Sequence, residues 1–236
     1  MSHIDRAWRL ARGLHPFPIG KGLFFVCLTF AALASCVSNA PPSLTAAQVA
    51  SLRLERVNVT VSPEASITWS GGEMEFAKSK GVVAPVLTAA DRDSEATSPA
   101  IGEYQERYSA LAKTPEAKSF IRNRAAELVR DGVAQSLAGQ FTGQQPMRIE
   151  IVLRGVQVQN PLLRVLVDNN DVLTADAAVV DGATGRTLAS YPGLRVTQQN
   201  SGGFVGALVD SAIRGDSVHG MARLYGQRLR AWLLPG

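Results

Sequence analysis

Apolar and polar residues alternate along two separate stretches of the chain with the period of a half-buried β-strand. Leu54–Val61 is the first stretch, and Pro63 is expected to end it. Met147–Val158 is the second, and Gly155 within it is a candidate bulge. Each pattern predicts a strand that turns one face to the core.

Turn residues separate a further pair of β-rich runs. Val172–Val180 and Arg186–Tyr191 flank the segment Asp181–Gly185, and the second run can extend over Leu194–Thr197. Because turn residues between two such runs are typical of a hairpin, we expect an antiparallel pair here.

Helical periodicity is strongest in the middle of the chain. Thr114 is a good N-cap, Pro115 suits the first helical position, and apolar side chains then recur along one stripe as far as Leu137. Gly139 is expected to stop this helix. A weaker helical spacing precedes it over residues 101–111.

The C-terminal part also has helical spacing. An apolar run over Phe204–Ile213 is separated by Gly215 from a last helix over Val218–Trp232. Asp216 or Ser217 is expected to cap that last helix.

The order of these elements predicts the fold class. A strand, a helix, a strand, a hairpin and a helix pair indicate an α+β fold with a four- to five-stranded antiparallel or mixed sheet and helices packed on one face. Residues 51–236 are enough for one such domain. Within it, residues 62–100 have no clear pattern, and we expect loops with one short strand there.

The N-terminus is basic and is followed at once by an apolar run. Four basic residues accompany a single acid in residues 1–22, and the apolar run covers Leu23–Leu33. As a helix this run would rise only about 16 Å, whereas a bilayer core needs roughly 20 apolar residues. The pattern therefore indicates a signal peptide over residues 1–35.

The residues that close the run, Leu33-Ala34-Ser35-Cys36, resemble the lipobox of bacterial lipoprotein precursors. The resemblance implies cleavage of the signal between Ser35 and Cys36, alkylation of the Cys36 thiol with diacylglycerol, and acylation of the new N-terminus. An ordinary secretory signal with a chance cysteine is the alternative. Several acyl chains anchor a protein stably, since each buried CH₂ contributes about 0.8 kcal/mol.

We therefore expect a lipid-anchored domain on a flexible tether. Residues 36–50 are rich in Ser, Pro and Ala and lack a strand pattern. Val37 is not the aspartate that resembles an inner-membrane retention signal. The expected location is the periplasmic face of the outer membrane, with the inner membrane as the alternative.

Charge and cysteine content exclude several classes of function. The whole chain has a net charge of +4, but residues 36–236 carry 20 basic and 19 acidic side chains. A nearly neutral domain offers no electrostatic case for binding nucleic acid. Cys27 lies in the signal and Cys36 is the anchor, so no thiol remains for a disulfide, a metal site or a nucleophile.

Few residues suit catalysis or metal binding. His219 is the only histidine after residue 35, and pairing with Asp210 or Asp216 would make it a base for Ser217. A surface histidine near a helix start is the preferred interpretation. Asp168–Asp171 offer oxygen ligands to Ca²⁺, but a run of Asn and Asp is typical of a tight turn. We expect no catalytic residues, no metal and no cofactor.

Two apolar features are candidates for binding. The segment Gly202-Gly203-Phe204-Val205 could contact a partner or a membrane interface, and close packing of a helix on the sheet is the alternative. Trp69 and the pair Tyr104 and Tyr108 could line a ligand groove, and core packing is the alternative.

The chain from about Leu54 onward resembles a group of uncharacterised proteobacterial lipoproteins. Val179–Gly185, with its Asp-x-x-Thr-Gly turn, and Ser201-Gly202-Gly203-Phe204 carry the resemblance. More remotely the chain is similar to the small α/β domain of envelope-assembly and transporter-auxiliary lipoproteins. Because turn and loop residues carry the match, it implies a fold more than a function.

These observations favour a non-catalytic, membrane-anchored lipoprotein that acts as a binding or scaffolding component of the cell envelope and engages another envelope protein. A transport-auxiliary lipoprotein that binds or hands over a lipid is the alternative, and it requires an apolar groove between sheet and helices. A periplasmic hydrolase is the least favoured of the three.

Overall fold

Four β-strands form one mixed sheet, and their spatial order follows the chain. The structure is a computed structural model, and the residues that it describes are 44–85, 99–158, 170–198 and 217–234. β1 (Leu52–Trp69) pairs in parallel with β2 (Gln145–Val158). The pairs of β2 with β3 (Asp171–Asp181) and of β3 with β4 (Thr187–Gln198) are antiparallel.

The first strand is much longer than its alternating pattern predicts. β1 continues past Pro63 to Trp69, because its pairing with β2 shifts register between Val61 and Ser66 and then resumes. The proline lies within that bulge, where the ladder does not need the N–H that proline lacks. The prediction that Pro63 ends the strand is therefore wrong.

A short helix, α1 (Ala46–Ser51), precedes the sheet. The hydroxyl of Thr45 accepts from the Gln48 N–H at 3.2 Å, and the Gln48 side chain accepts from the Thr45 N–H at 2.8 Å. Val49 is buried in the core. The tether predicted over residues 36–50 therefore extends too far, because its last residues belong to the folded domain.

Helices replace the loops predicted between residues 62 and 100. α2 (Ser70–Ser79) follows β1 directly, and α3 (Pro99–Ala112) comes later in the chain. The glycines that suggest a loop, Gly71 and Gly72, instead lie under the Trp69 ring, where an added Cβ would come within 2.6 Å of it. The loop prediction is wrong for residues 70–79, where these glycines serve packing, whereas residues 82–85 form neither helix nor strand.

The helix α4 (Pro115–Leu137) begins and ends where the sequence predicts. The Thr114 hydroxyl accepts from the Ala117 N–H at 3.1 Å, so the predicted N-cap is confirmed. Gly139 follows the helix with a φ of 70°, a conformation that favours glycine. The buried residues of α4 are Ala117, Ile121, Ala125, Leu128, Val129, Gly132, Val133 and Leu137.

The predicted hairpin is also confirmed. β3 and β4 pair around Asp181–Gly185, and β4 includes the extension over Leu194–Thr197. Gly155 directly follows a register shift between β2 and β3, as its interpretation as a bulge requires. The helix predicted over Phe204–Ile213 lies outside the described residues.

The last helix, α5 (Ser217–Leu233), packs closely against α4. A Cβ added at Gly132 would lie 2.6 Å from the Ala222 Cβ, and one added at Gly226 would lie 2.6 Å from the Ser136 Cβ. Small residues thus allow the two backbones to approach. The two helices cover the same face of the sheet, so the predicted α+β fold with helices on one face is confirmed.

Tyr225 connects α5 to the middle of the sheet. Its side chain is fully buried, and its hydroxyl donates to the Ala175 carbonyl at 3.1 Å. Ala175 borders a register shift between β3 and β4. Burial raises the pKa of Tyr225, so its hydroxyl remains protonated and continues to donate.

Substituting Gly132 by alanine should lower the free energy of unfolding by about 1–3 kcal/mol, because the new methyl group overlaps Ala222. The matched control is Gly102→Ala in α3, where nothing lies within 4 Å of the added methyl group. That control should raise the free energy of unfolding by about 0.5–1 kcal/mol, since alanine favours a helix over glycine. Urea denaturation measures both changes, and equal effects would contradict the close contact of α4 with α5.

Candidate functional site

The residues predicted to carry the lipid and the cleavage site, Cys36 and Ser35, lie outside the described residues. The same holds for the apolar segment Gly202–Val205. Their roles stay predictions from the sequence. Among the described helices, none is both long enough and apolar enough to cross a membrane.

His219 contacts an amide rather than an acid in the described part of the chain. Its Nε2 lies 3.2 Å from Oε1 of Gln135 on α4. Asp210 and Asp216, the acids considered as its partners, lie outside the described residues. Ser217 is the first residue of α5. The contact with Gln135 fits the interpretation of His219 as a helix-surface residue.

The run Asp168–Asp171 is only partly described, and its last residue does not lie in an exposed turn. Asp171 is fully buried and begins β3, whereas Asp168 and Asn169 lie outside the described residues. No group of three or more His, Cys, Asp or Glu is arranged to hold a metal ion across residues 44–85, 99–158, 170–198 and 217–234.

The aromatic residues considered for a ligand groove join elements of the fold. Trp69 is buried in the core, so core packing is the correct alternative for it. The rings of Tyr104 and Tyr108 lie 5.8 Å apart, and the Tyr108 hydroxyl donates to Glu73 of α2 at 2.9 Å. Burial, followed by the bond to Glu73, raises the pKa of Tyr108. This contact holds α3 against α2.

Asp181 organises the hairpin turn that the sequence analysis singled out. Its Oδ1 accepts from the backbone N–H of Ala183 at 3.0 Å and of Thr184 at 2.7 Å, and from the Thr184 hydroxyl at 2.9 Å. Its Oδ2 accepts from Nε2 of Gln145 at 2.6 Å. These bonds, that from the Thr184 N–H first, lower the pKa of Asp181 to about 2. The turn residues therefore serve the fold.

Register shifts lie at one level of the sheet in neighbouring strands. Val61 of β1 pairs with Leu153 of β2, and Leu153 pairs with Ala175 of β3. Each of these pairs is the last regular pair before a shift, and Ala175 also borders the shift towards β4. Because bulges bend strands and increase their twist, the sheet curves at this level.

A chain of polar contacts links the bulges from β1 to β4. Arg154 donates to Asp176 Oδ2 at 2.8 Å and to the Ser62 hydroxyl at 3.2 Å, and Asp176 Oδ1 accepts from the Gly193 N–H at 2.8 Å. Arg122 of α4 donates to the Ser62 carbonyl at 2.6 Å. We refer to Ser62, Arg154, Asp176 and Gly193 as the bulge row.

Beyond the bulge row, the face of the sheet that is turned away from α4 and α5 forms a shallow concavity of about 410 Å³. It extends across all four strands, and neighbouring members pair in the ladder, as Ser66 does with Gly155 and Thr174 with Arg195. We refer to it as the concave face. Its residues are Ser66, Thr68, Gly155, Val156, Gln157, Val172, Thr174 and Arg195.

The concave face offers hydroxyl groups, an amide and one guanidinium group. Arg195 is exposed and makes an ion pair with no described residue. The lining contains no acid, histidine or cysteine. Such a surface can donate hydrogen bonds and attract negative charge.

The concave face is not predicted by the sequence. Its residues lie far apart in the chain, from Ser66 to Arg195, and meet only through strand pairing. The local signals were the polar positions of the alternating strands and two glycines, Gly155 and Gly193, within β-rich runs. These signals locate strand irregularities but not which strands lie side by side.

Comparisons with known proteins give no family. No family model and no curated protein sequence matches the chain. The chain is similar to a protein from Caulobacter crescentus CB15 that is provisionally described as a lipoprotein, with 16% identity over 47% of this chain and 80% of that chain and a TM-score of 0.29. It is also similar to a PelC variant from Paraburkholderia phytofirmans, solved as a dodecamer, with 12% identity over 51% of this chain and 76% of that chain and a TM-score of 0.28. Likeness at this level carries no argument about function.

Replacing Asp181 by asparagine should lower the stability of the fold at neutral pH, because an amide nitrogen would replace one of the two accepting oxygens. The pKa of Asp181 is lowered in the folded state, so its stabilising contribution is present above the unfolded value near 3.8 and is lost as the pH falls towards about 2. The melting temperatures of the variant and the original protein should therefore converge between pH 4 and pH 2. A difference that stays constant down to pH 2 would contradict this account.

Proposed function

We propose that this chain is a non-catalytic binding or scaffolding component of the bacterial cell envelope, anchored to a membrane by a lipid on Cys36. The concave face is the observation that carries the proposal, because it is a polar surface four strands wide whose lining suits binding. The expected partner is another envelope protein. The proposed location is the periplasmic face of the outer membrane, with the inner membrane as the alternative.

The concave face lies at the end of the sheet opposite the one through which the described chain enters it. The described chain enters the sheet through α1, where Ser51 donates to the Gln145 side chain at 3.3 Å beside the first residues of β1 and β2. The concave face uses the far ends of the same strands, where Thr68 pairs with Gln157. Strands rise about 3.3 Å per residue, so the two ends lie roughly 40 Å apart.

A carrier that hands over a lipid is less favoured by the described packing. Such a carrier requires an apolar groove between sheet and helices. Leu153, Leu173 and Tyr225 are fully buried at this contact, and α4 approaches α5 closely at Gly132. The grooves at the two edges of the contact between sheet and helices have volumes of about 250 and 260 Å³ and include charged side chains. A hydrolase is also disfavoured, because residues 36–236 contain a single histidine and no cysteine besides Cys36.

Replacing Cys36 by serine should abolish acylation, because a serine hydroxyl cannot form the thioether that carries diacylglycerol. Metabolic labelling with palmitate and mass spectrometry of the N-terminus measure the change. Cys27→Ser, within the expected signal peptide, is the matched control and should leave labelling unchanged. Labelling that survives Cys36→Ser, or an unmodified N-terminus at another residue, would contradict the proposed anchor.

A photo-crosslinking amino acid in place of Gln157 should capture an envelope protein in intact cells, because this exposed residue lies on the concave face. The same amino acid in place of Lys113, exposed between α3 and α4, is the control and should not capture that protein. Denaturing electrophoresis and mass spectrometry identify the product. Equal capture at both positions, or no capture at residue 157, would count against the proposal.

Reversing the charge of Arg195 tests the same contact in a second way. Arg195→Glu should lower the crosslinking yield at residue 157 by at least about fivefold, since the guanidinium attracts the partner. Arg186→Glu reverses the same charge at the opposite end of β4, in the turn, and should change the yield by less than about twofold. Equal losses in the two variants would show that the concave face is not the point of contact.

A further inference from the structure

A second groove lies along the edge of the sheet, between β4 and α5. Val196 and Thr197 line it from the strand, and its volume is about 250 Å³. From the helix it is lined by Leu224, Gln227, Arg228 and Ala231, which recur at helical spacing. Leu224 is 37% exposed, which is high for a large apolar side chain of this fold. We refer to this as the edge groove.

The strand that borders the edge groove is an outer strand of the sheet. β4 pairs with β3 on one side and is last in the strand order, and Leu194–Gln198 keep regular pairing with β3. In an outer strand, alternate backbone N–H and C=O groups point away from the sheet. Extended polypeptides bind such edges by adding a strand, with main-chain bonds for affinity and side-chain pockets for specificity.

All charged side chains of the two elements that border the groove, β4 and α5, are basic. β4 and α5 contain no acidic residue, and they carry Arg195, Arg223, Arg228 and Arg230. None of these four makes an ion pair with a described residue. By contrast, Arg124 of α4 contacts Glu75 at 3.1 Å. Of the four arginines of β4 and α5, Arg228 lines the groove, and it complements a negatively charged ligand.

We propose that the edge groove binds an extended acidic segment of another envelope protein. The segment adds to β4 along Leu194–Gln198, places one apolar side chain against Val196 and Leu224, and pairs an acidic side chain with Arg228. This surface is separate from the concave face, so it gives the domain a second point of contact.

An extended acidic segment fits the edge groove better than a second copy of this chain or a membrane surface does. A second copy of this chain that paired through its own β4 would bring the basic side chains of β4 and α5 near those of the first copy with like charge. A membrane surface would require a broad apolar helix face, whereas Leu224 is the single large apolar residue exposed on α5 among the described residues. A peptide needs one apolar pocket, a strand edge and a nearby cation, and the edge groove has all three.

The test uses the full lipidated chain in detergent micelles and a labelled nine-residue peptide in which valine and glutamate occupy every second position in turn, with serine between them, so that both face the groove. Fluorescence anisotropy should show saturable binding of this peptide, and none of the peptide in which lysine replaces glutamate. Arg228→Glu should weaken binding by at least about tenfold, and the control Arg230→Glu, on the same helix but outside the groove, by less than about twofold. Hydrogen exchange should show that the bound peptide protects amides of Leu194–Gln198.

Three results would overturn the proposal. They are the absence of saturable binding by the glutamate peptide, equal losses in Arg228→Glu and Arg230→Glu, and protection of Leu194–Gln198 by anionic vesicles or by self-association without peptide. Sedimentation of the protein alone measures self-association. Crosslinking at Gln157 should be unaffected by Arg228→Glu, so failure here is distinguishable from failure of the concave face.

Discussion

The ion pair of Arg154 with Asp176 sits where the sheet bends, and the surfaces on both sides of β4 depend on that bend. The two side chains are 47% and 30% exposed and lie 2.7 Å apart, so the pair alone contributes less than about 1 kcal/mol. The pair is important because of where it lies. Arg154 also donates to the Ser62 hydroxyl, and Asp176 also accepts from the Gly193 N–H. These contacts hold the bulge of each strand at this level of the sheet. A sheet without them could slip by one residue, which would turn polar side chains towards the core.

The core face is held at the same level by a different interaction. Tyr225 reaches from α5 to the carbonyl of Ala175, the residue that precedes Asp176 in β3. Successive residues of a strand point to opposite faces, so Ala175 meets the helix layer while Asp176 meets the bulge row. The close approach at Gly132 and Gly226 brings α5 near enough for this contact. Ala175 therefore contacts the helix layer, and the adjacent Asp176 stabilises the bend of the sheet.

Local signals predicted the elements that local forces determine. The Thr114 cap and the apolar stripe specify α4, and alternation with turn residues specifies the hairpin around Asp181. The length of β1 and the existence of α2 were missed, because Pro63 sits in a bulge and the glycines after Trp69 pack under its ring. The concave face was missed for another reason. It requires β1 to pair in parallel with β2, and the long helical connection between them permits that pairing without specifying it.

The two candidate binding surfaces share β4. Which side chains of that strand point to which face of the sheet decides what each surface contains. Arg195 points to the concave face, whereas its neighbour Val196 is buried beside the edge groove. Gly193 determines this arrangement. Its φ of 62° allows the backbone turn that ends the bulge, and its N–H donates to Asp176. If the bulge were lost, Arg195 and Val196 would exchange faces, so a cation would enter the core and the groove would lose its apolar wall. The bulge row thus determines the chemistry of both surfaces without forming part of either.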